Sequence, residues 1–385
     1  MSTDDTEARS HDAGPTGQGD SADHPPASAD ESAAADLLAI DEDDGESPDR
    51  SRRVLRRVLI SVGIIGLVLA VVIGGGLWFL TERYAGNVHR ITDAFAGLNE
   101  DQRPAPATAA TPAGADPVTF LLVGSDTREK TAPGADPGAR SDAIMIARFS
   151  GDRQHAQLIS IPRDSWVDIP GHGKNKINAS YAFGGPSLLI QTVEQLTQVR
   201  IDHYVAIDFD GIIKVTDDLG GVDVVLAEQT SNGPYTFQKG VNHLNGDEAR
   251  WYLGQRYGLE GGDFDRVKRQ QQYLRAMFGK LFSANTFTDV GKLDSALRAV
   301  TSAVSVDDTL GNTALLKLAS SMRGVTPDDI QYFTAPIEGT GKEGPASVVY
   351  LNDALGERMW QFLRNDSLAE NAEEFSQQAL PDVPR

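Results

Sequence analysis

Four charged side chains lie at the ends of three short apolar runs: Asp126 after the first run, Arg140 and Asp142 before the second, and Arg163 after the third. Mg²⁺ prefers oxygen ligands and takes one or two carboxylates while it keeps waters and substrate phosphate oxygens. The planar guanidinium of arginine binds phosphate through two parallel hydrogen bonds. If these side chains come together, they form a set suited to phosphoryl transfer, in which protein groups position the substrate and stabilise its charge.

A second group of such residues lies in the stretch GGDFDRVKRQQQYL. Asp263, Arg266 and Gln270 follow i, i+3, i+7 spacing and therefore share one face of a helix. Arg256 precedes this helix across a glycine-rich turn, which could fold it back over the same face. Arg269 points to another side by this spacing, so we expect it to be structural. An ordinary amphipathic helix also carries solvated Arg and Lys, so the spacing alone leaves both interpretations open.

The three apolar runs must position the first group. They are Val118–Val123, Ala143–Phe149 and Gln157–Ile161, each short and bounded by Gly, Pro, Asp or Ser, as is typical of strands. An antiparallel meander with a turn at Ser150–Gln154 would bring the end of the first strand, the start of the second and the end of the third to one edge of a sheet. Loops held by a rigid sheet edge commonly carry function. We therefore predict that the four flanking charged side chains converge there.

The rest of the region alternates between strand and helix patterns. Further strands are predicted at His203–Ile207, Val222–Leu226 and Ile330–Phe333, and helices at Ser187–Thr197, Phe209–Leu219, Gly246–Arg256, Asp263–Leu281, Leu293–Val304, Thr313–Met322 and Asn352–Leu363. Strands interspersed with helices over this length indicate a single α/β domain, with helices that cover a central sheet.

A membrane span is predicted before this domain. Val58–Leu80 contains 23 residues without a charge. At about 1.5 Å per residue, such a helix crosses the roughly 30 Å hydrocarbon core of a bilayer. Five arginines lie just before the span, at positions 50, 52, 53, 56 and 57, and by the positive-inside rule they keep the N-terminus in the cytoplasm. A signal peptide is disfavoured because the run is long and begins after 50 residues. We expect a single-pass protein of the cell membrane whose folded part is extracytoplasmic.

Composition narrows the function further. The 385 residues carry a formal charge of −20 and include no cysteine, which excludes a disulfide framework and thiol chemistry. Residues 1–49 hold 15 acidic side chains and one basic one, so −14 of that charge lies there. A broad basic surface for nucleic acid is absent from this composition. We predict a disordered acidic cytoplasmic tail at residues 1–57, a stalk at residues 81–117, a catalytic domain at residues 118–364 and a flexible tail at residues 365–385.

Other catalytic motifs are missing from the sequence. It contains no G-x-x-x-x-G-K-[ST] loop, no H-E-x-x-H and no G-x-S-x-G. The histidines are scattered, and His203 at the start of a predicted strand is expected to be structural. The carboxylates and arginines therefore remain the candidate chemistry.

Several segments of the chain, taken together, resemble the LytR-CpsA-Psr family of cell-envelope proteins. The matching segments are FLLVGSDTR, ARSDAIMIARF, LISIPRDSWVDIPG, KINASYAFGGP, TVEQLTQVRIDHYVAIDFDG, LGGVDV, LNGDEARWY and GGDFDRVKRQQQYL. The resemblance implies a three-layer α/β/α sandwich with a central mixed sheet on a single N-terminal membrane anchor. It further implies an Mg-dependent phosphotransferase, which moves a glycopolymer from a polyprenyl-pyrophosphate carrier onto peptidoglycan and releases polyprenyl phosphate.

The resemblance also implies a role for each candidate residue. Asp126 and Asp142 match magnesium ligands, and Asp263 matches an aspartate that orients or activates the acceptor hydroxyl. The residues that match the pyrophosphate-binding set are Arg140, Arg163, Arg256, Arg266 and Gln270. Arg163 and Arg266 are therefore expected, with Asp263, to take part in catalysis.

One departure from the family pattern stands out. The usual Y-x-R-x-R reads Tyr252-Leu253-Gly254-Gln255-Arg256 here, so glycine replaces the first arginine. This loss of a cation makes a catalytically weakened scaffold that binds glycan or lipid one alternative.

Two other functions stay open at this point. Attack by water instead of a sugar hydroxyl would make the same residues a polyprenyl-pyrophosphate hydrolase. An envelope-related transcriptional attenuator is disfavoured, because the acidic tail has no DNA-reading fold and the folded part is predicted to lie across the membrane.

Two predicted helices offer apolar side chains for a lipid tunnel. They are Leu188, Leu189, Val193 and Leu196 on the first helix and Ile212, Ile213 and Val215 on the second. Core packing explains the same residues equally well, and we favour it for most of them.

Overall fold

A seven-stranded mixed sheet lies at the centre of the computed structural model, which describes residues 88–108, 115–125, 141–255, 257–283, 290–322 and 324–384. The strands are β1 (His89–Ile91), β2 (Val118–Ser125), β3 (Ser141–Phe149), β4 (Ala156–Ile161), β5 (Trp166–Ile169), β6 (Gly173–Lys176), β7 (His203–Asp208), β8 (Val222–Leu226), β9 (Thr230–Asn232), β10 (Tyr235–Phe237), β11 (Gly240–Leu244), β12 (Val304–Asp307), β13 (Ile330–Thr334), β14 (Ile337–Glu343) and β15 (Ala346–Leu351). The order across the central sheet is β1-β12-β7-β2-β3-β4-β13, and the other strands form two-stranded pairs.

Seven α-helices accompany these strands within the described ranges. They are α1 (Ile177–Thr197), α2 (Phe209–Asp218), α3 (Gly246–Gly254), α4 (Asp263–Leu281), α5 (Val290–Ala303), α6 (Asn312–Ser321) and α7 (Asp353–Arg364). All seven predicted helices are present, and α4 has the predicted bounds. The first begins ten residues earlier than predicted, because α1 continues across a break at Gly184 and Gly185 whose backbone angles are not helical. Pro186, which follows the break, suits the first turn of a helix.

The predicted meander is confirmed. β2 pairs antiparallel with β3, and β3 pairs antiparallel with β4. The turn between the last two closes through the Ser150 amide, which donates to the His155 carbonyl at 3.0 Å. β7 runs parallel to β2 and β13 runs parallel to β4, so the sheet is mixed.

Alternate side chains of the strands enter two separate cores. In β2, Phe120 contributes to one core, whereas Leu121 and Val123 contribute to the other. Helices α2 to α6 cover the first face, and α1 and α7 cover the second. Because side chains alternate across a strand, both faces of the sheet are apolar and both need a helical layer. The structure therefore has three layers, α/β/α.

The structure corrects the predicted start of the domain at residue 118. Residues 89–91 add β1 to the sheet beside β12, and Ala94 is 1% exposed. The apolar side chains of this segment, Val88, Ile91, Phe95 and Leu98, pack against the two cores. The segment that was predicted to be a stalk therefore contributes to the fold.

The structure also differs from the flexible tail predicted at residues 365–385. Leu368 and Phe375 are buried in the core on the α1 side of the sheet. The amide of Thr334 donates to the Gln378 carbonyl at 2.8 Å, and the amide of Leu380 donates to the Tyr332 carbonyl at 2.9 Å. This segment covers the outer edge of β13, where unpaired strand groups would otherwise face solvent.

Among the residues that the structure describes, no helix is both long and apolar enough to cross a bilayer. The predicted span Val58–Leu80 and the acidic tail before it lie outside the described residues.

Candidate active site

The ends of three strands meet at one edge of the sheet, where β2 ends. Ser125, the last residue of β2, pairs with Ser141 at the start of β3. Ile161, the last residue of β4, pairs with Ile144, which lies three residues after the start of β3. The meander therefore brings all three flanking segments to one edge, as predicted.

A β-bulge occurs at Asp142 on this edge. Residues Ala143 and Ser141 pair with consecutive residues of β2, so Asp142 is the extra residue of β3. Bulges bend a strand and re-aim a side chain, and they are frequent next to active sites. Asp126 and Arg140, and the side chain of Asp142, lie outside the part of the chain that the structure describes.

The loop after β4 carries Arg163, and hydrogen bonds from two other elements restrain its backbone. The amide of Asn178 in α1 donates to the Arg163 carbonyl at 3.1 Å, and the amide of Val349 in β15 donates to the Asp164 carbonyl at 2.9 Å. The Asp164 carboxylate also pairs with the Lys176 amine at 3.0 Å. Arg163, Asp164 and Asn178 lie in the quoted sequence motifs, but no spacing rule connects β15 to this loop.

Arg163, Asp263 and Arg266 meet in what we call the arginine–aspartate cluster. Nη2 of Arg266 lies 2.7 Å from Oδ1 of Asp263, one helical turn away, and Nε of Arg163 lies 3.9 Å from the same oxygen. The side chains of Arg266 and Asp263 are 2% and 24% exposed. One carboxylate faces two guanidiniums, so the cluster has one net positive charge. Such a cluster attracts a phosphate group.

The two carboxylate oxygens of Asp263 differ in their contacts. Oδ2 is buried and has no hydrogen-bond partner among the described residues. Buried polar atoms are rarely left without a partner in native proteins, and a carboxylate oxygen can only accept.

Gln271 sets the position of α4 against the sheet, and the sequence reasoning missed it. Its side-chain amide donates to Ser160 Oγ at 2.8 Å and to the Phe333 carbonyl at 2.6 Å, and the residue is fully buried. Since Ser160 lies three residues before the loop arginine, this contact connects the two halves of the cluster. The signal was present, because Gln271 is the one polar position in the apolar stripe that includes Val267 and Leu274.

Gln270 follows Arg266 by one turn of α4, as its spacing predicted, and is 6% exposed. Arg256 lies outside the described residues. An ideal Cβ at Gly254 would meet no atom within 4 Å, so the space of the missing arginine is open at its base.

Arg269 is structural, as expected. It is 1% exposed, it donates to Gln255 Oε1 at 2.6 Å, and its guanidinium lies 5.0 Å from the centre of the Tyr252 ring. Burial lowers the pKa of Arg269 below its usual value. Gln255 also donates to the Tyr257 carbonyl at 3.0 Å, so this group of contacts ties α3 to α4.

His203 lies far from the arginine–aspartate cluster. It pairs with Phe120 in β2, whereas the site lies beyond Ser125 at the other end of that strand. Five strand residues separate the two positions, about 17 Å at 3.3 Å per residue. Its Nδ1 lies 3.2 Å from Oδ2 of the fully buried Asp307, which agrees with the structural role predicted for it.

The two helices considered for a lipid tunnel lie on opposite faces of the sheet. Leu189 and Val193 of α1 are fully buried in one core, and Ile212 and Val215 of α2 are buried in the other. They therefore cannot line one tunnel together, and the preference for core packing is confirmed for these four residues.

Fold and site together define an α/β protein whose mixed sheet presents an arginine–aspartate cluster at one edge. The model of the LytR_cpsA_psr family matches residues 86–364, which is most of the chain. The chain therefore belongs to the LytR-CpsA-Psr family, and the expectation drawn from its motifs is confirmed.

Relatives with assigned names agree with this membership. Polyisoprenyl-teichoic acid–peptidoglycan teichoic acid transferase TagU of Halalkalibacterium halodurans is 33% identical over 291 residues, which covers 74% of this chain and 90% of that protein. The protein of the same name from Bacillus mycoides is 34% identical over 237 residues, 61% of this chain and 75% of its own length.

Solved structures have the same fold. B. subtilis TagV is 30% identical with a TM-score of 0.55, and the match covers 65% of this chain and 97% of TagV. A structure of TagT bound to LIIa-WTA is 24% identical with a TM-score of 0.52, over 70% of this chain and 98% of TagT, and this likeness concerns the fold.

Proposed function

We propose that this protein transfers a glycopolymer from a polyprenyl-pyrophosphate carrier onto peptidoglycan and forms a phosphodiester. The observation that carries the proposal is the arginine–aspartate cluster of Arg163, Asp263 and Arg266 at the sheet edge. The relatives named as teichoic acid transferases support the class of donor and acceptor.

The two arginines of the cluster bind the pyrophosphate. Arg163 projects from a loop whose backbone is held by α1 and β15, and Arg266 is almost fully buried beside Asp263. The backbone of Arg163 and the side chain of Arg266 are therefore held in place before the substrate arrives, which reduces the entropy that binding costs. We propose that Gln270, Arg140 and Arg256 complete the contacts with the phosphates.

Asp263 acts on the acceptor. Oδ2 accepts the proton of the acceptor hydroxyl, whose oxygen attacks the phosphorus that bears the glycopolymer. A P–O bond to the acceptor forms as the bond from that phosphorus to the bridging oxygen breaks, and polyprenyl phosphate leaves. Arg163 and Arg266 stabilise the negative charge on the phosphate oxygens while this happens.

We also propose that Asp126 and Asp142 hold Mg²⁺. The bulge that sets Asp142 apart from the ladder, directly beside the end of β2, and the carboxylate chemistry of the pair both fit that ion. Within the described ranges, no three His, Asp or Glu side chains form a metal-binding group. When bound, the ion would offset part of the pyrophosphate charge.

The place of action follows from the uncharged segment before the domain. We propose that Val58–Leu80 spans the cell membrane once, with the arginines before it on the cytoplasmic side and the folded domain outside. This topology gives the domain access to a lipid-linked donor and to the cell wall.

The test uses the full-length protein in detergent with Mg²⁺, a lipid-linked glycan and peptidoglycan. We expect Arg163→Ala and Arg266→Ala to lower the release of polyprenyl phosphate about a hundredfold or more. Arg298→Ala is the matched control, since this arginine lies on α5 with its side chain 51% exposed. Undiminished transfer by Arg163→Ala would rule out the assigned site, and equal release without acceptor would indicate a hydrolase.

A further inference from the structure

A cleft lies beside the loop that carries Arg163, and the proposed function assigns no role to it. It has a volume of about 710 Å³ and lies between the hairpin β5–β6, the hairpin β14–β15, the end of α1 and the start of α7. This volume lies within the range of roughly 300–1,000 Å³ that is typical of ligand pockets.

Two aromatic side chains line the cleft. Ser165 and Val349 form a parallel bridge, so the residues that follow them, Trp166 and Tyr350, lie on adjacent strands. The Tyr350 hydroxyl donates to Glu343 at 2.9 Å, and a Cβ at Gly341 would meet the Tyr350 ring at 2.5 Å. The glycine therefore makes room for a ring whose position is fixed at both ends. Such rings offer flat apolar surfaces at low entropic cost.

The charge of the cleft defines what it can bind. Its ionisable lining residues are Asp168, Glu338, Glu343, Asp353 and Lys174. Four carboxylates against one amine repel an anionic chain such as a polyphosphate donor. Carboxylates accept hydrogen bonds from hydroxyl and amide groups, while the apolar face of a sugar ring stacks on an aromatic ring. These groups suit an uncharged saccharide chain.

The cleft adjoins the arginine–aspartate cluster. Trp166 follows Arg163 by three residues, at most about 10 Å of extended chain. The amide of Val349 donates to the Asp164 carbonyl at 2.9 Å, so the wall of the cleft is bonded directly to the loop of the site.

We infer that this cleft, beside the loop that carries Arg163, binds the uncharged hexosamine strand of the acceptor. The inference rests on the proposed function, because it assigns the acceptor side of the same reaction. It separates the two substrates by charge, with the anionic donor at the arginines and the neutral acceptor between Trp166 and Tyr350.

Binding of chitotetraose, a chain of four β-1,4-linked N-acetylglucosamines, tests the inference by titration calorimetry on the full-length protein in detergent. We expect Trp166→Ala and Tyr350→Ala each to bind roughly tenfold more weakly, which corresponds to about 1.4 kcal/mol. Trp251→Ala is the control, since Trp251 lies on α3 and is 36% exposed. Circular dichroism melting shows whether each variant is folded, and Trp166→Phe should retain binding.

The outcomes separate this inference from the proposed function. Arg163→Ala should lose transfer and still bind chitotetraose, and Trp166→Ala should raise the KM for acceptor but not for donor. If the wild type does not bind chitotetraose, or Trp166→Ala binds it equally well, the inference is wrong even when transfer is intact. Displacement of the saccharide by poly(glycerol phosphate) would assign the cleft to an anionic donor and overturn it. Saccharide binding without any transfer would instead contradict the proposed function.

Discussion

Replacement of Asp263 by asparagine tests the chemistry assigned to the arginine–aspartate cluster. Asparagine keeps the shape of the side chain and one acceptor oxygen for Arg266. In the wild type, Nη2 of Arg266 lies 2.7 Å from Asp263 Oδ1. It loses the ability to take up a proton. Loss of a positioned base typically lowers kcat by about 10²–10⁴, which is roughly 2.7–5.4 kcal/mol of barrier.

Donor binding should not weaken in this variant. In the wild type, the Asp263 carboxylate lies beside the guanidiniums of Arg163 and Arg266, and Asp263→Asn removes that negative charge. The added positive charge should hold or lower the donor KM while kcat falls. The ion pair with Arg266 is lost, which should cost about 1–3 kcal/mol of the free energy of unfolding, so the variant still folds.

The assay measures polyprenyl phosphate release and peptidoglycan-linked polymer with the full-length protein in detergent. Asp265→Asn is the matched control, because it removes a charge from the same turn of α4, where Asp265 accepts from the Gly261 amide at 2.8 Å. We expect that control to change kcat by no more than about threefold. An unchanged kcat for Asp263→Asn, or a raised donor KM with an unchanged kcat, would refute the role of Asp263.

Three further predictions concern the fold and the departure from the family pattern. Asp366→Ala should lower the free energy of unfolding by about 3–5 kcal/mol in urea denaturation, because it removes the carboxylate 3.7 Å from Arg148, which is 1% exposed; a loss below about 1 kcal/mol would contradict this. Burial alone would raise the pKa of Asp307, but hydrogen bonds from His203, Thr309 and the Tyr204 amide outweigh it and leave the pKa below its usual value. The contribution of Asp307 to stability is therefore present above about pH 4 and is lost as the pH falls through the lowered pKa. The difference in unfolding free energy between wild type and Asp307→Asn, measured in urea, should shrink in acid. A constant difference would be inconsistent with this reasoning. Gly254→Arg should fold, since the space at its Cβ is open, and should lower the donor KM about tenfold; an unchanged KM would show that this chain does not need the family's first arginine.

The local pattern was sufficient for the elements that carry the site. The sequences of β2, β3 and β4 are short apolar runs bounded by Gly, Pro or Ser. The short connections between them favour antiparallel pairing of neighbours. The spacing of Asp263 and Arg266 follows from helix geometry alone, and their 2.7 Å contact needed no tertiary information.

The same local pattern was insufficient for the ends of the domain. The polar, proline-ended stretch after residue 365 resembles a tail, and yet Phe375 is fully buried and Asp366 accepts from the Gly151 amide at 2.8 Å. The contact of Asp366 with Gly151 joins residues 215 positions apart, so no window of the sequence contains both partners. Composition measures how polar a segment is, and it does not report which surface that segment can cover.

The sequence by itself determined the family, the residue types of the site and the period of each long helix and strand, because these depend on side-chain chemistry and on neighbours a few residues away. Only the tertiary structure decided that α1 and α2 lie on opposite faces, that Asp142 is a bulge, that Gln271 holds α4 to the sheet, and that β15 fixes the loop of Arg163. These features depend on close packing and on the pairing of buried polar groups between distant segments. They are settled only when all the segments meet in one fold.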